Sequence, residues 1–272
     1  MNLQNIFNEI EKTDPEVYER LDSRRHVMHR FTNLGGKLAL TALPFALGGM
    51  LNKAYGQTST DIVGILNFAL TLEYLESGFY NTAVGTSGLI DASQMASFAD
   101  IQQDENAHVA FLTATITSLG GTPAAKPEFD FTAGGAFSTV FSDYQTFLAV
   151  SQTFEDTGVR AYKGQAGGLI SNNTVLTAAL QIHSVEARHA AHVRQVRRIT
   201  GADATEKPWI SGKSTNGIGS AVQASYDGED NVTQLGIDVS TLPGVIGSVA
   251  TEAFDEPLTI EAVLAIVDPF IV

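Results

Sequence analysis

The chain has 272 residues, 44% of them apolar, which is enough for a sizeable core, and a formal charge of −14. That charge excludes a surface that wraps nucleic acid, which needs a net positive patch, and no basic stripe follows residue 57. The absence of cysteine excludes disulfides, thiolate metal sites and cysteine nucleophiles, so any bound metal takes oxygen and imidazole ligands.

Residues 1–56 form a first region. Ser23-Arg24-Arg25-His26-Val27-Met28 precedes a mostly apolar stretch from Leu38 to Leu51 and then Ala54-Tyr55-Gly56. This order is that of a twin-arginine export signal, which places the protein in the periplasm or beyond it. The competing reading is a retained helix packing on the bundle of a cytoplasmic protein. Leu3, Ile6, Phe7 and Ile10 make an amphipathic stripe, and Thr13-Asp14-Pro15-Glu16 reads as a cap with proline at the first helical position. The apolar run is interrupted by Pro44, Gly48 and Gly49 and falls short of the roughly 20 residues a bilayer span needs, so no transmembrane span is expected. A chain starting at Gln57 keeps 9 of 16 basic and 24 of 30 acidic residues, a charge of −15.

Residues 57–201 read as four long helices. Thr60-Asp61 caps the first, which runs to Val84 and stops at Gly85 and Gly88; Asp91-Ala92-Ser93 opens the second, which ends at Leu119 before Gly120-Gly121-Thr122-Pro123. Ile65, Phe68, Leu72, Leu75 and Phe79 give the first helix an inner face, and Ile101, Ala107, Phe111 and Leu112 the second. The link from Gly120 to Gly135 is longer than the 2 to 8 residues usual between antiparallel neighbours and suits a crossover along the bundle. A third helix is expected from Ala136 to Gln165 and a fourth from Asn173 to Thr200, with Gly167-Gly168 and Gly201 as breaks.

The two helical pairs repeat one constellation: Glu73, Tyr80 and Glu105-x-x-His108, then Glu155, Tyr162 and Glu186-x-x-His189. A three-residue step turns a helix about 300°, so each Glu-x-x-His pair shares a face, and a seven-residue step returns Tyr80 and Tyr162 to the directions of Glu73 and Glu155. Chance supplies roughly 0.3 Glu-x-x-His pairs among six histidines, and surface pairing accounts for some of those; two occur here, with partner glutamates. Four carboxylates buried together cannot all stay ionised without cations, and two divalent ions balance them while the imidazoles stay neutral. The expected ligands are therefore Glu73, Glu105, His108, Glu155, Glu186 and His189, with open positions for water, dioxygen or peroxide. Glu76 is the alternative to Glu73. His183 and His192 extend the ligand row of the fourth helix and can hold a ligand from behind; Tyr80 and Tyr162 are candidates for bonding to ligands or relaying electrons, or are core. Arg160 and Arg188 are expected to neutralise neighbouring carboxylates such as Asp156 and Asp104.

On these ligands the chain resembles the ferritin-like superfamily, and within it the desiccation-related ferritin-like domain proteins. Leu72-Glu73-Tyr74-Leu75-Glu76, Asp104-Glu105-Asn106-Ala107-His108, Glu155 through Tyr162, and Glu186-Ala187-Arg188-His189 carry the likeness, which covers about residues 60 to 200. The resemblance implies an all-α, left-handed four-helix bundle with one long crossover and a di-iron or di-manganese centre. Relatives store or oxidise iron, or reduce or dismutate peroxide, so the leading expectation is a redox-active centre that reacts with dioxygen or hydrogen peroxide in oxidative or desiccation stress, an oxidoreductase if it is an enzyme. The alternative it leaves open is a stress protein that binds metal for structure or sequestration without catalysis.

Residues 202–272 shift to glycine, serine, threonine and asparagine, with Trp209 and a short apolar helix from Thr259-Ile260-Glu261 to Val267. Too apolar for free disorder, this extension is expected to wrap the bundle. A lid over the site and a homodimer contact are the competing roles.

Overall fold

The computed structural model describes residues 62–272. The leader, its twin-arginine order and the Thr60-Asp61 cap all fall outside the described residues. Four long helices dominate: α1 (Ile62–Gly85), α2 (Met95–Ser118), α3 (Tyr144–Gln165) and α4 (Asn173–Ile199). α1 packs on α2, α3 on α4, and α1 on α3, whereas α2 and α4 approach each other far less closely.

The helix ends follow local chemistry. The Asp143 side chain accepts from the Thr146 amide at 2.7 Å to start α3, and Asn172 accepts from Val175 at 3.2 Å to start α4. Gly120 at φ 79° closes α2, with the Gly121 amide reaching back to the Ile116 carbonyl at 3.0 Å. Gly201 at φ 89° closes α4 in the same way, the Ala202 amide bonding the Arg197 carbonyl at 3.0 Å. These six-to-one bonds satisfy carbonyls that the helix leaves free, and only glycine reaches that φ without strain.

Two boundaries differ from expectation. α2 begins at Met95, because Asp91 spends its side chain on the Ser93 amide at 2.8 Å and forms a turn first. α3 begins at Tyr144 and not near Ala136. Phe137 and Val140 are buried in the core, but they reach it from successive turns after Gly134 and Gly135, both at positive φ. The crossover is therefore longer than expected. On α2, Ala107 and Phe111 do not belong to the inner face: both are exposed, and that face is Phe98, Ile101, Glu105, His108, Leu112 and Ile116.

The C-terminal extension packs on α3 and on the crossover. The Leu258 amide bonds the Arg160 carbonyl at 3.1 Å, α6 (Ile260–Val267, after the one-turn α5, Val249–Glu252) packs on α3, and Phe270 meets Phe154 edge-on at 4.8 Å. Its end also bridges to the crossover, Phe129 against Ile271. The close seat against α3 requires Gly164, where a Cβ would stand 1.9 Å from the Leu258 carbonyl oxygen. A two-residue hairpin, β1 (Thr233–Gln234) with β2 (Ile237–Asp238), turns through Leu235 and Gly236, both at positive φ. Among the described residues only α1 is long and apolar enough to cross a bilayer, and it is the bundle's core helix, with 67% of its apolar window buried.

Candidate metal centre

The buried interior is divided along the bundle. Toward one end Phe79, Phe98, Phe147 and Phe154 pack with ring centroids 5.1 to 5.3 Å apart. Toward the other, aliphatic Ile65, Leu66, Leu70, Leu112, Ile116 and Ile182 form a separate cluster. Between them lie the acidic side chains.

Each helix delivers its share by periodicity. α1 contributes Glu73 and Glu76, α2 Glu105 and His108, α3 Glu155, and α4 Glu186 and His189; all five glutamates are buried, four of them at 0% exposure. Their ligand atoms form two overlapping groups, each within 4.8 Å, that could hold a metal ion: Glu73, Glu105, His108 and Glu186, and Glu105, Glu155, Glu186 and His189. Glu105 and Glu186 belong to both. His108 Nδ1 lies 3.2 Å from Glu73, 3.2 Å from Glu105 and 3.3 Å from Glu186; His189 Nδ1 lies 2.8 Å from Glu105 and 3.4 Å from Glu155. The structure thus brings together all six side chains that the repeat singles out.

The tyrosines reveal an exchange that spacing alone does not contain. Tyr80 on α1 donates to Glu155 on α3 at 2.5 Å and lies 2.6 Å from the Ser151 hydroxyl, while Tyr162 on α3 donates to Glu73 on α1. Each half's tyrosine holds the other half's glutamate.

Burial pushes the Glu73 carboxyl up to about 8 despite the hydrogen bond from His108, and pushes Glu76 and Glu186 well above the usual range, with Glu105 among the carboxylates that raise each further. Glu155 is raised by the same burial. Only Glu105 falls, to about 2: burial opposes its ionisation, but hydrogen bonds from His108 and His189 outweigh it. Burial by itself would lower both histidines, yet the surrounding carboxylates raise them, His189 to about 12. The set therefore holds protons on carboxyls and imidazoles that a cation would displace.

The donor set fits divalent ions. Glu76 Oε2 is buried without a hydrogen-bond partner, and Glu105 Oε1, Glu155 Oε2, the Glu186 oxygens and His189 Nδ1 are buried facing one another at ion-pair distances, with no protein cation other than the two imidazoles. Among the described residues no lysine or arginine pairs with any of the five glutamates. The buried arginines are committed elsewhere, Arg160 to Glu229 at 2.7 Å, Arg194 to Asp156 at 2.5 Å and Arg197 to Glu206 at 3.1 Å. Carboxylates this deep without cations are costly.

Several surrounding expectations are corrected. Arg160 does not pair with Asp156; it ties α3 to the extension, through Glu229 and the carbonyls of Ser225, Asp227 and Glu256. Arg194 takes Asp156 instead, because the two face each other between α3 and α4. Arg188 is exposed on the outer face of α4. Asp104 approaches His189 Nε2 at 3.2 Å, so the carboxylate that holds a site imidazole from behind is Asp104, in place of a histidine. His192 lies edge-on to Phe98 at 5.9 Å, and the Nε2 atoms of both His183 and His192 lack partners, so neither bonds to the cluster. Glu76 is not an alternative to Glu73 but a fifth carboxylate beside it; its burial follows from lying three residues after Glu73, on the same helical face. Gly158 makes room for it, since a Cβ there would stand 3.1 Å from Glu76 and 3.4 Å from Glu186.

With this geometry in hand, one comparison adds a family: the family model of the ferritin-like domain matches residues 61–198, the span from α1 through α4. No curated protein matches the chain.

Proposed function

The chain belongs to the ferritin-like domain family, and on that premise we propose that it holds two divalent ions, iron or manganese, in one dinuclear centre that reacts with dioxygen or hydrogen peroxide. The observation that carries the proposal is the pair of overlapping ligand groups sharing Glu105 and Glu186, buried and without protein cations. In this reading Glu73 with His108 and Glu155 with His189 would hold one ion each, with Glu105 and Glu186 available to both. The metals, once bound, supply the electrons for reducing an oxygen species.

The protein's part is geometry and protons. Tyr80 and Tyr162 fix the rotamers of Glu155 and Glu73 by short hydrogen bonds, and Asp104 fixes the tautomer of His189 by accepting from Nε2, which leaves Nδ1 free as a donor to metal. The phenylalanines on one side exclude water from the site, which strengthens every electrostatic interaction inside it. Glu76, buried and outside both ligand groups, is positioned to take or give a proton at its free Oε2.

Metal analysis of the purified full chain, followed by peroxide consumption after metal is restored, tests the reading. Two equivalents of metal with turnover supports it; two equivalents without turnover supports sequestration in place of catalysis; no metal removes both.

A further inference from the structure

The two ends of the bundle are packed differently. Beyond Tyr80 the aromatic cluster fills the interior, whereas beyond Tyr162 lies a cavity of about 780 Å³ where α2 and α4 stand apart. Open to solvent at its rim, it lies within the size range of small-molecule sites. It is also adjacent to the ligand cluster. Ala69, Leu112 and Ile182 line it, each one helical turn from Glu73, His108 and Glu186 respectively, and Tyr162, which holds Glu73, forms part of its wall.

Its chemistry is equally one-sided. The buried part of the wall is aliphatic apart from Phe68 and Tyr162, and the exposed part carries neutral amides and hydroxyls, among them Asn173, Thr177 and Gln181. Among the described residues no charged side chain lines it. Phe111, 43% exposed, stands at the cavity as an unusually open aromatic.

We propose that this cavity binds a neutral, largely apolar molecule, its body between the four helices and reaching Tyr162, its hydrogen-bonding end among the amides of the rim. The described lining favours a neutral molecule over an ionised amphiphile, because it offers a carboxylate no cation to offset the desolvation it suffers there. The proposal deepens the redox reading, since it makes the bound molecule a neighbour of the dinuclear centre and so a candidate for oxidation there. Binding itself does not depend on metal.

The test uses the full chain, metal-free and metal-loaded, titrated with the neutral fluorophore N-phenyl-1-naphthylamine. The expected result is one saturable site in both forms, with 1-dodecanol displacing the probe at least about tenfold better than dodecanoate at pH 8. Ala178→Trp and, independently, Thr115→Trp fill the cavity wall and are expected to weaken probe binding about tenfold or more while helicity and metal stoichiometry stay unchanged. No saturable binding, equal competition by dodecanoate, or undiminished binding in both folded variants overturns the proposal. So does a stable dimer that admits the probe only on dissociation, which makes the cavity an interface between copies. Probe binding by a chain that takes up no metal leaves the cavity assignment standing and refutes the dinuclear reading, so the two fail separately.

Discussion

Glu186→Gln separates the two roles of a shared carboxylate. Both oxygens of Glu186 are buried, with His108 Nδ1 3.3 Å from one of them, and burial with the neighbouring Glu105 pushes its carboxyl well above the usual range, which favours the neutral acid when metal is absent. An amide of the same shape replaces it there at little cost, within about 1 kcal/mol, which for a domain of this size moves Tm by no more than about 4 °C. With metal the balance reverses. If about 10–16 kcal/mol of binding energy is shared by four ligands, each is worth about 3 kcal/mol, or roughly 100-fold in affinity. Because Glu186 belongs to both ligand groups, both ions are expected to weaken together, whereas Glu155→Gln weakens one. Isothermal titration with Mn²⁺, alongside thermal unfolding with and without metal, reads both quantities. At 100 times Kd a ligand adds about 2.7 kcal/mol to stability, so the wild type gains several degrees on metal addition and the variant does not. Two ions bound at wild-type affinity, or a metal-free Tm lowered by more than about 10 °C, would refute the argument.

Three further outcomes follow from the same geometry. Tyr80→Phe and Tyr162→Phe each remove one short hydrogen bond to a ligand glutamate and are expected to weaken one ion about tenfold, the former at Glu155 and the latter at Glu73; site-resolved paramagnetic spectra of the half-loaded protein distinguish them. Metal uptake is expected to release protons, and the Glu73 share has a definite sign. Its carboxyl is protonated below about 8, so affinity rises with pH toward 8, and that share vanishes above it. Calorimetry in buffers of different ionisation enthalpy at pH 6.5 and pH 9 counts the difference, and equal release at both values contradicts the assignment. Gly164→Ala places a Cβ 1.9 Å from the Leu258 carbonyl oxygen and is expected to cost about 1–3 kcal/mol and to loosen residues 255–272. Limited proteolysis reads this as early cleavage of the extension with metal stoichiometry unchanged, and an intact extension sinks it.

Much of the fold was legible because its signals are local. Glycines 120 and 201 end helices through bonds formed within their own last turns, only a few residues away. The start of α3 misled because Phe137 and Val140 continue an apolar rhythm without helical backbone; burial is what periodicity reports, and turns also bury side chains. Arg160 misled for a different reason. Its partner, Glu229, lies in the extension, and nothing near Arg160 in the chain announces a contact so far along it.

The sequence by itself determined which side chains of each helix face inward, since a 3.6-residue period sets Glu105 over His108 and Glu186 over His189 whatever the helices pack against. It could not determine which residues meet across helices. The exchange of Tyr80 for Glu155 and Tyr162 for Glu73, the fifth carboxylate at Glu76, and the cavity beside Tyr162 depend on how α1 seats on α3 and on how far α2 stands from α4. Those distances are set by packing across the whole interior, including the extension clamped on α3, and no local spacing encodes them.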